Sequence, residues 1–560
     1  MKLKKSRAYY MYEERTGNTL LAIEFEKNLG GMDFVMVDSD LAENAEKVRQ
    51  ALKKKGAQLT GPKAKQLKTV NTLLANIEPN TRQLAMKPGF RGAGFVLGET
   101  MLGAAKDTYV YRAIAGKPDI GQHAGSRDGW NNEVAPLVAQ SSFATVAVFI
   151  ALAAPLVTYV NQHLLNTTGL SPILSETAVM NFSGDSRVGK TTLSRVAAGI
   201  SGSPDAIFKW DFSRAGLEVL AEKRNDLVMV LDDIEKFVEI EMTLKNAMRL
   251  VGQVIPSGQS KALSDVARDN GSPERRWTTF GISSSPLPLD VLAERMRWTR
   301  TLGEKVRFID VPLPKGVDAG IFDRLPDDTE DQVAAGTALI TDLERGVALH
   351  FGHIMQAWIE YLLAENRALQ IQEYTKRFVV KVAADGTGYD KCYAEKFGIL
   401  YAAGKLATEA GILLLPEDLP WKAVRCCYRL ALASAAPAEV RAAEKIELLI
   451  RLFDQKKRFP KIATVGSQIV TYCSRTLGVR TVVNGKPVCA MRTEELRAFA
   501  GSALVAKAMR SQMAPAGVLM DGQGSSGASQ VGIKIKVAGK TSKPRFWVMN
   551  EKKLRSCSTK

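Results

Sequence analysis

The chain has 560 residues, 46% of them hydrophobic and 24% charged, an ordinary globular composition that excludes a fibrous or wholly disordered protein. Its net charge of +17 points to a polyanionic partner, nucleic acid ahead of an anionic membrane surface. The six cysteines, Cys392, Cys426, Cys427, Cys473, Cys489 and Cys557, form no C-x-x-C pair, so zinc and redox signatures are missing and free thiols in a reducing compartment are expected.

The first 17 residues are basic with no apolar run behind them, which does not read as a secretory signal. Residues 1–110 read as an N-terminal α/β domain, with strands at 20–26 and 34–37 and a helix at 44–55. Residues 47–68 hold eight Lys or Arg and no acid. Glycines at 89, 92, 94 and 98 do not follow G-x-G-x-x-G and suit a hairpin better than a dinucleotide site. Segment 143–160 is long and apolar enough to be weighed as a membrane span. Its many Ala and Thr, Pro155 and the lack of close basic anchors favour a buried helix of a large α/β domain. No membrane partner and a cytoplasmic location are therefore expected.

Residues 111–315 read as a nucleotide-binding core. SGDSRVGKTT at 183–192 fits G-x-x-x-x-G-K-[ST], follows a short apolar run at 178–183 and opens a helix at 192–199. Gly184, Ser186, Val188, Gly189, Lys190, Thr191 and Thr192 are the candidate ATP-binding residues. Backbone N–H groups would cradle phosphates, Lys190 would reach the β- and γ-phosphates, and Thr191 would offer its hydroxyl to Mg²⁺. LVMVL at 227–231 is a buried strand ending in Asp232 and Asp233. Asp232 is the candidate Mg²⁺ ligand, Asp233 the candidate for polarising water, and Glu235 its fallback. A strand at 279–282 ends in Ser283, Ser284 and Ser285, and a polar side chain there could sense the γ-phosphate as in AAA-type motors. Strands separated by helical segments imply a parallel sheet with ligands at the strand C-termini. Lys261 and Arg268 are candidates for DNA phosphate contact, and Arg275, Arg276, Arg297 and Arg300 for an arginine finger reaching a neighbouring subunit.

Residues 316–450 read as a helical domain, in which His350 and His353 are taken as packing or surface residues. Residues 451–560 read as a basic, winged-helix-like domain. It has a hairpin around Asn484-Gly485, helices at 493–499 and 502–514, a Gly/Ser loop, and a second hairpin at 531–549. Residues 531–560 hold nine Lys or Arg and one acid, Glu551. Lys507, Arg510, Lys534, Lys536, Lys540, Lys543 and Arg545 are the DNA candidates of this domain, with contacts that carry little sequence preference.

These elements together resemble the domain-of-unknown-function family nine hundred and twenty-seven of mobile-element replication proteins. The carriers are DGW at 128–130, the phosphate loop, GLEVLA at 216–221, LVMVLDD at 227–233 and residues 276–284. Further on they are GEKVRFIDVP at 303–312, HFGH at 350–353 and EKFGILYAAGKLATEAG at 395–411, so the likeness runs over about residues 70–440. The resemblance implies an AAA-type ATPase akin to the minichromosome-maintenance helicases, such as the cassette chromosome helicases. It implies a hexameric or ring-forming homo-oligomer acting on single-stranded or forked DNA, using ATP and Mg²⁺. One position departs: such sites usually carry Asp-Glu, and Asp233 is one methylene shorter than Glu. The alternative is a nucleotide-dependent DNA-binding switch or scaffold that separates no strands.

Overall fold

The computed structural model describes residues 6–13, 17–27, 32–104, 109–111, 119–167, 176–234, 243–261, 274–314, 320–323, 325, 331–462, 470–472, 476–483, 485–519, 530–533, 535–537, 540–542 and 545–556. Glu235, Arg268, Lys534 and Lys543 lie outside the described residues. The chain divides into two compact units, Met1–Pro288 with Thr301–Ala431, and Leu289–Arg300 with Leu432–Lys560.

The first unit begins with β1 (Arg7–Glu13), β2 (Thr19–Glu26) and β3 (Met32–Asp38), helices Ala45–Lys54 and Lys63–Leu74, and β4 (Glu78–Ala85). A small antiparallel sheet of β5 (Gly89–Arg91), β6 (Gly94–Leu97) and β7 (Thr100–Gly103) follows, then β8 (Tyr109–Tyr111). The larger sheet runs β3-β2-β1-β4-β8, antiparallel among the first three strands and parallel from β1 through β4 to β8. Side chains alternate across its pleat. Leu21, Ile23, Phe25 and Val35 pack with Val48, Leu52 and Val70 of the two helices, and Tyr9, Met11, Leu20 and Leu84 form a second cluster. The glycine-rich run is therefore a hairpin. Gly89 sits at φ 111°, and a Cβ there would stand 2.2 Å from Asp226 Oδ2. That close approach lets Asp226 accept from Phe90 N at 3.0 Å and Asn225 donate to Pro88 O at 2.8 Å, tying hairpin to core.

The core is built around helix Ser142–Thr167, which is 26 residues long and holds Pro155. It is apolar enough to cross a membrane, yet 94% of its most apolar window is buried inside the protein, packed against helices Lys190–Ser201, Ala368–Ala383 and Gly388–Glu409. Burial on every side explains a helix apolar all round. Beside it lies an all-parallel sheet of β9 (Val179–Ser183), β10 (Phe208–Lys209), β11 (Met229–Asp232), β12 (Gly281–Ser285) and β13 (Phe308–Pro312), in the order β10-β11-β12-β9-β13. β9 and β12 are buried at every residue, as expected of strands in a sheet covered on both faces. The serines do not follow β12 but are its last three residues, paired with Asn181, Phe182 and Ser183 of β9. Helix Gly388–Glu409 braces the start of β9 and β13. Buried Lys396 donates to Thr177 O at 3.0 Å and Val306 O at 2.8 Å, and Tyr393 to Lys305 O at 2.8 Å.

In the second unit β15 (Val479–Val483) and β16 (Lys486–Arg492) form the expected hairpin, with Gly485 at φ 72° in the turn. Helices Thr493–Ala500 and Ala503–Met513 follow. The second hairpin keeps one register from Gln530↔Trp547 to Ile535↔Ser542 but serves two sheets. Its base strands, β17 (Gln530–Gly532) and β20 (Arg545–Asn550), complete the order β15-β16-β20-β17. Its tip strands, β18 (Ile535–Val537) and β19 (Lys540–Ser542), join β14 (Val470–Tyr472), which pairs in parallel with β18. The tip of the basic hairpin therefore has a third strand along one edge.

Candidate nucleotide site

The loop at 184–189 leaves fully buried β9 and enters helix Lys190–Ser201 through Gly189, whose φ of 100° favours glycine. A Cβ at Gly189 would meet Ile340 at 3.1 Å and Ile321 at 3.2 Å, so two side chains close over the loop. Arg187 also holds a positive φ of 67°. Loop and helix start line a cavity of about 250 Å³ with Asp233, Ser284, Pro286, Ile340 and Glu344.

Strand order brings the polar groups together. β12 lies between the loop strand β9 and the acidic strand β11, so its last residues face both. Ser284 Oγ donates to Asp232 Oδ1 at 2.7 Å and accepts from Asp233 N at 2.9 Å. Thr191 Oγ1 donates to Asp232 Oδ2 at 3.1 Å. Lys190 Nζ donates to Gly184 O at 2.8 Å and Asp185 O at 2.6 Å, which folds the ammonium over the loop. Asp233 stands at φ 56°, a left-handed turn that ends the strand and turns its side chain toward the cavity. Beneath these groups Asn181 Nδ2 donates to Ser285 Oγ and to Asp310 Oδ1, both at 2.8 Å, locking β9 to its two neighbours.

The geometry distinguishes among the candidate residues. Ser283 and Ser284 are equal candidates in the sequence, but alternation along β12 turns Ser283 away. It is fully buried and lines no part of the cavity, whereas Ser284 does. Gly184 N–H donates to Ser285 O at 3.1 Å, at the sheet edge. The Thr192 hydroxyl donates to Glu344 Oε1 at 2.7 Å. Arg275 is ion-paired with Glu222, Arg276 lies 3.5 Å from Glu274, and buried Arg300 lies 3.4 Å from Asp290. Arg276 and Arg297 are exposed. Lys261, Lys507 and Lys536 are exposed, Arg510 lies over the Trp547 ring at 5.2 Å, and Lys540 and Arg545 stand on β19 and β20.

Glu344 and Ile340 escape sequence reasoning because helix Gln332–Leu349 lies some 150 residues beyond the loop. Their spacing of four, which puts both on one helix face, is the only sequence signal they carry. The two histidines of HFGH explain a pair of glycines. A Cβ at Gly129 would meet His350 Cε1 at 2.1 Å, and His353 Nε2 faces Gly125 O at 3.1 Å. Among the described residues no group of three His, Cys, Asp or Glu could hold a metal ion.

The donors fit a hard divalent cation. A threonine hydroxyl and a carboxylate oxygen meet at 3.1 Å beside a lysine and a loop rich in backbone N–H groups. No curated protein matches the chain in sequence. The solved structure of SCCmec type IV Cch, an active helicase, matches with a TM-score of 0.56 at 14% identity, over 96% of this chain and 93% of that one. At that identity the likeness shows the fold. The model of the family described as Domain of unknown function (DUF927) matches residues 10–267, which takes in the N-terminal sheet, the phosphate loop and the acidic strand, and ends ahead of the serine strand.

Proposed function

We propose that the chain is an ATP-dependent DNA helicase or replication-initiator motor of a mobile genetic element, working as a hexameric homo-oligomeric ring with ATP hydrolysed between subunits. The observation that carries the reading is Ser284, which joins Asp232 to the backbone of Asp233 from a strand set between loop and acid. A polar group there responds to the γ-phosphate side of the site, which suits hydrolysis coupled to movement better than transfer to a small molecule. The helicase fold of the solved neighbour supports the same choice.

Thr191 and Asp232 would hold Mg²⁺, which neutralises phosphate charge when bound. Lys190 would leave Gly184 O and Asp185 O for the β- and γ-phosphates, and the loop N–H groups would orient the triphosphate. Asp233 takes the role of polarising the attacking water. Its carboxylate is shorter than the usual Glu, and the Ser284 bond to its N–H fixes where it starts. Arg275, Arg276, Arg297 and Arg300 are the finger candidates for an adjacent subunit's site, with Arg276 and Arg297 the exposed ones. Exposed cations in both units supply contacts to single-stranded or forked DNA.

The test is ATPase rate with and without forked DNA, alongside strand separation, for the wild type and Lys190→Ala. Stimulation by DNA and loss of both activities in the variant are expected. A DNA-insensitive ATPase that separates no strands would favour the switch reading instead.

A further inference from the structure

The lysine-rich run at 47–68 has no part in the nucleotide site. The structure gives it a shape. Glu46 meets Lys63 at 3.3 Å, and Arg49 Nη1 donates to Gln66 at 3.0 Å. Both contacts span 17 positions, so helices Ala45–Lys54 and Lys63–Leu74 lie side by side and run the same way. Val48, Leu52 and Val70 fix their inner faces on the sheet. Lys47, Lys53, Lys54, Lys63, Lys65 and Lys68 are all exposed on the helices. Between Glu46 and Glu78 the chain has no acidic residue. Glu46 itself is engaged by Arg49 and Lys63, and Asp40 and Glu43 lie in a groove with Asn71 and Leu74, at the far end of the second helix.

This arrangement costs the free protein something. Lys63 and Lys65 stand in the first turn of their helix, where the helix dipole disfavours cations, and Pro62 supplies no side-chain cap. Like charges stacked on two adjacent helices repel as well. A face needed only for solubility would mix both signs. A run of one sign on this packed pair, in which Glu46 offsets Arg49 and Lys63, would be stabilised by a regular line of negative charge.

We propose that this helix pair is a second nucleic-acid contact, laid along the phosphate backbone and independent of the C-terminal hairpin. The 12-residue helix is about 18 Å long, which spans roughly five base-pair steps of a duplex. Contacts by lysine ammonium groups fix position without reading sequence. The surface follows the DNA-binding reading but does not depend on the nucleotide site.

The experiment uses the full chain. Binding of a labelled duplex of about 30 base pairs and of the matching single strand is measured without nucleotide across a salt series, for the wild type, Lys53→Gln/Lys54→Gln/Lys68→Gln and Lys190→Ala. All three lysines are exposed, and ATPase without DNA checks that the triple variant keeps its fold. The triple variant is expected to bind about tenfold more weakly near 0.1 M salt. Its log–log salt slope should be shallower by about 2 to 3, at roughly 0.7–0.9 for each phosphate no longer neutralised. Lys190→Ala should bind as the wild type does. Unchanged affinity and slope in the triple variant overturn the proposal even if the chain unwinds DNA. So does a wild-type chain that binds neither nucleic acid but binds vesicles with about 20% phosphatidylserine. Weakened binding of the expected size, in a chain with no helicase activity, leaves this proposal standing and removes the motor reading alone.

Discussion

At the C-terminal edge of the parallel sheet, Thr191, Asp232, Asp233 and Ser284 are hydrogen-bonded to one another, and Ser284 is buried. At the tip of the C-terminal hairpin, Lys536 stands exposed on β18, and its backbone is held by β14 and β19. The first region, in the proposed role of nucleotide site, would work by position. Moving one oxygen changes which groups meet, and salt hardly screens contacts of this range. The second, in the proposed role of DNA contact, would work by number, where each cation adds a similar amount and salt weakens all of them.

The contrast is broken most severely at Lys190. Lys190→Ala should lower ATP turnover by a factor of about 100 or more, checked by steady-state hydrolysis, because one preorganised cation aimed at developing charge is worth about that much. Ser284→Ala comes next. It leaves Asp232 Oδ1 and Asp233 N without their shared partner. We expect turnover to fall about 10-fold while nucleotide affinity changes little, a split that a merely structural serine would not give. Ser283→Ala, one residue earlier and facing away, should leave turnover within about twofold.

Asp226 extends the comparison to a buried carboxylate far from the loop. Burial pushes its pKa up to about 6 from the ordinary 3.8, against the bonds from Thr158 and Phe90 N. The folded chain therefore holds the proton more tightly than the unfolded chain. The stability this supplies is fully present below about pH 4 and is lost as pH rises through about 6. Asp226→Asn should flatten that loss, by about 1–3 kcal/mol between about pH 4 and 7, measured as the difference in urea midpoints.

A smaller loss than at the loop belongs to the hairpin. Phe546 and Trp547 are buried in the second unit, so truncating 531–560 would unfold that unit and report nothing on DNA. Lys536→Gln with Lys540→Gln is the cleaner change. It should weaken DNA binding several-fold and reduce the salt slope by about 1 to 2, with no change in ATPase rate without DNA.

Legibility in the sequence followed locality. The phosphate loop, its strand and helix, the acidic strand and the first C-terminal hairpin were readable, because each is set by a few neighbouring residues such as Gly189 at positive φ or Gly485 in a two-residue turn. The boundaries of β12 were not, because Ser283 to Ser285 become strand only through pairing with Asn181 to Ser183. Ile340 and Glu344 were invisible, since what brings them to the loop is packing between helices distant in sequence.

The sequence by itself determined the groups at hand: a loop of the form G-x-x-x-x-G-K-[ST], a threonine and an aspartate of the kinds the proposed cation site needs, and an excess of positive charge. Tertiary structure decided which of these act together. Strand order set Ser284, not Ser283, between the loop and Asp232. Ion pairs engage Arg275, Arg276 and Arg300, while Arg276 and Arg297 are exposed. Parallel docking of two short helices brought a run of exposed lysines onto one packed pair. The physical reason is that composition and spacing fix what a side chain can do, while alternation, register and burial fix where it points.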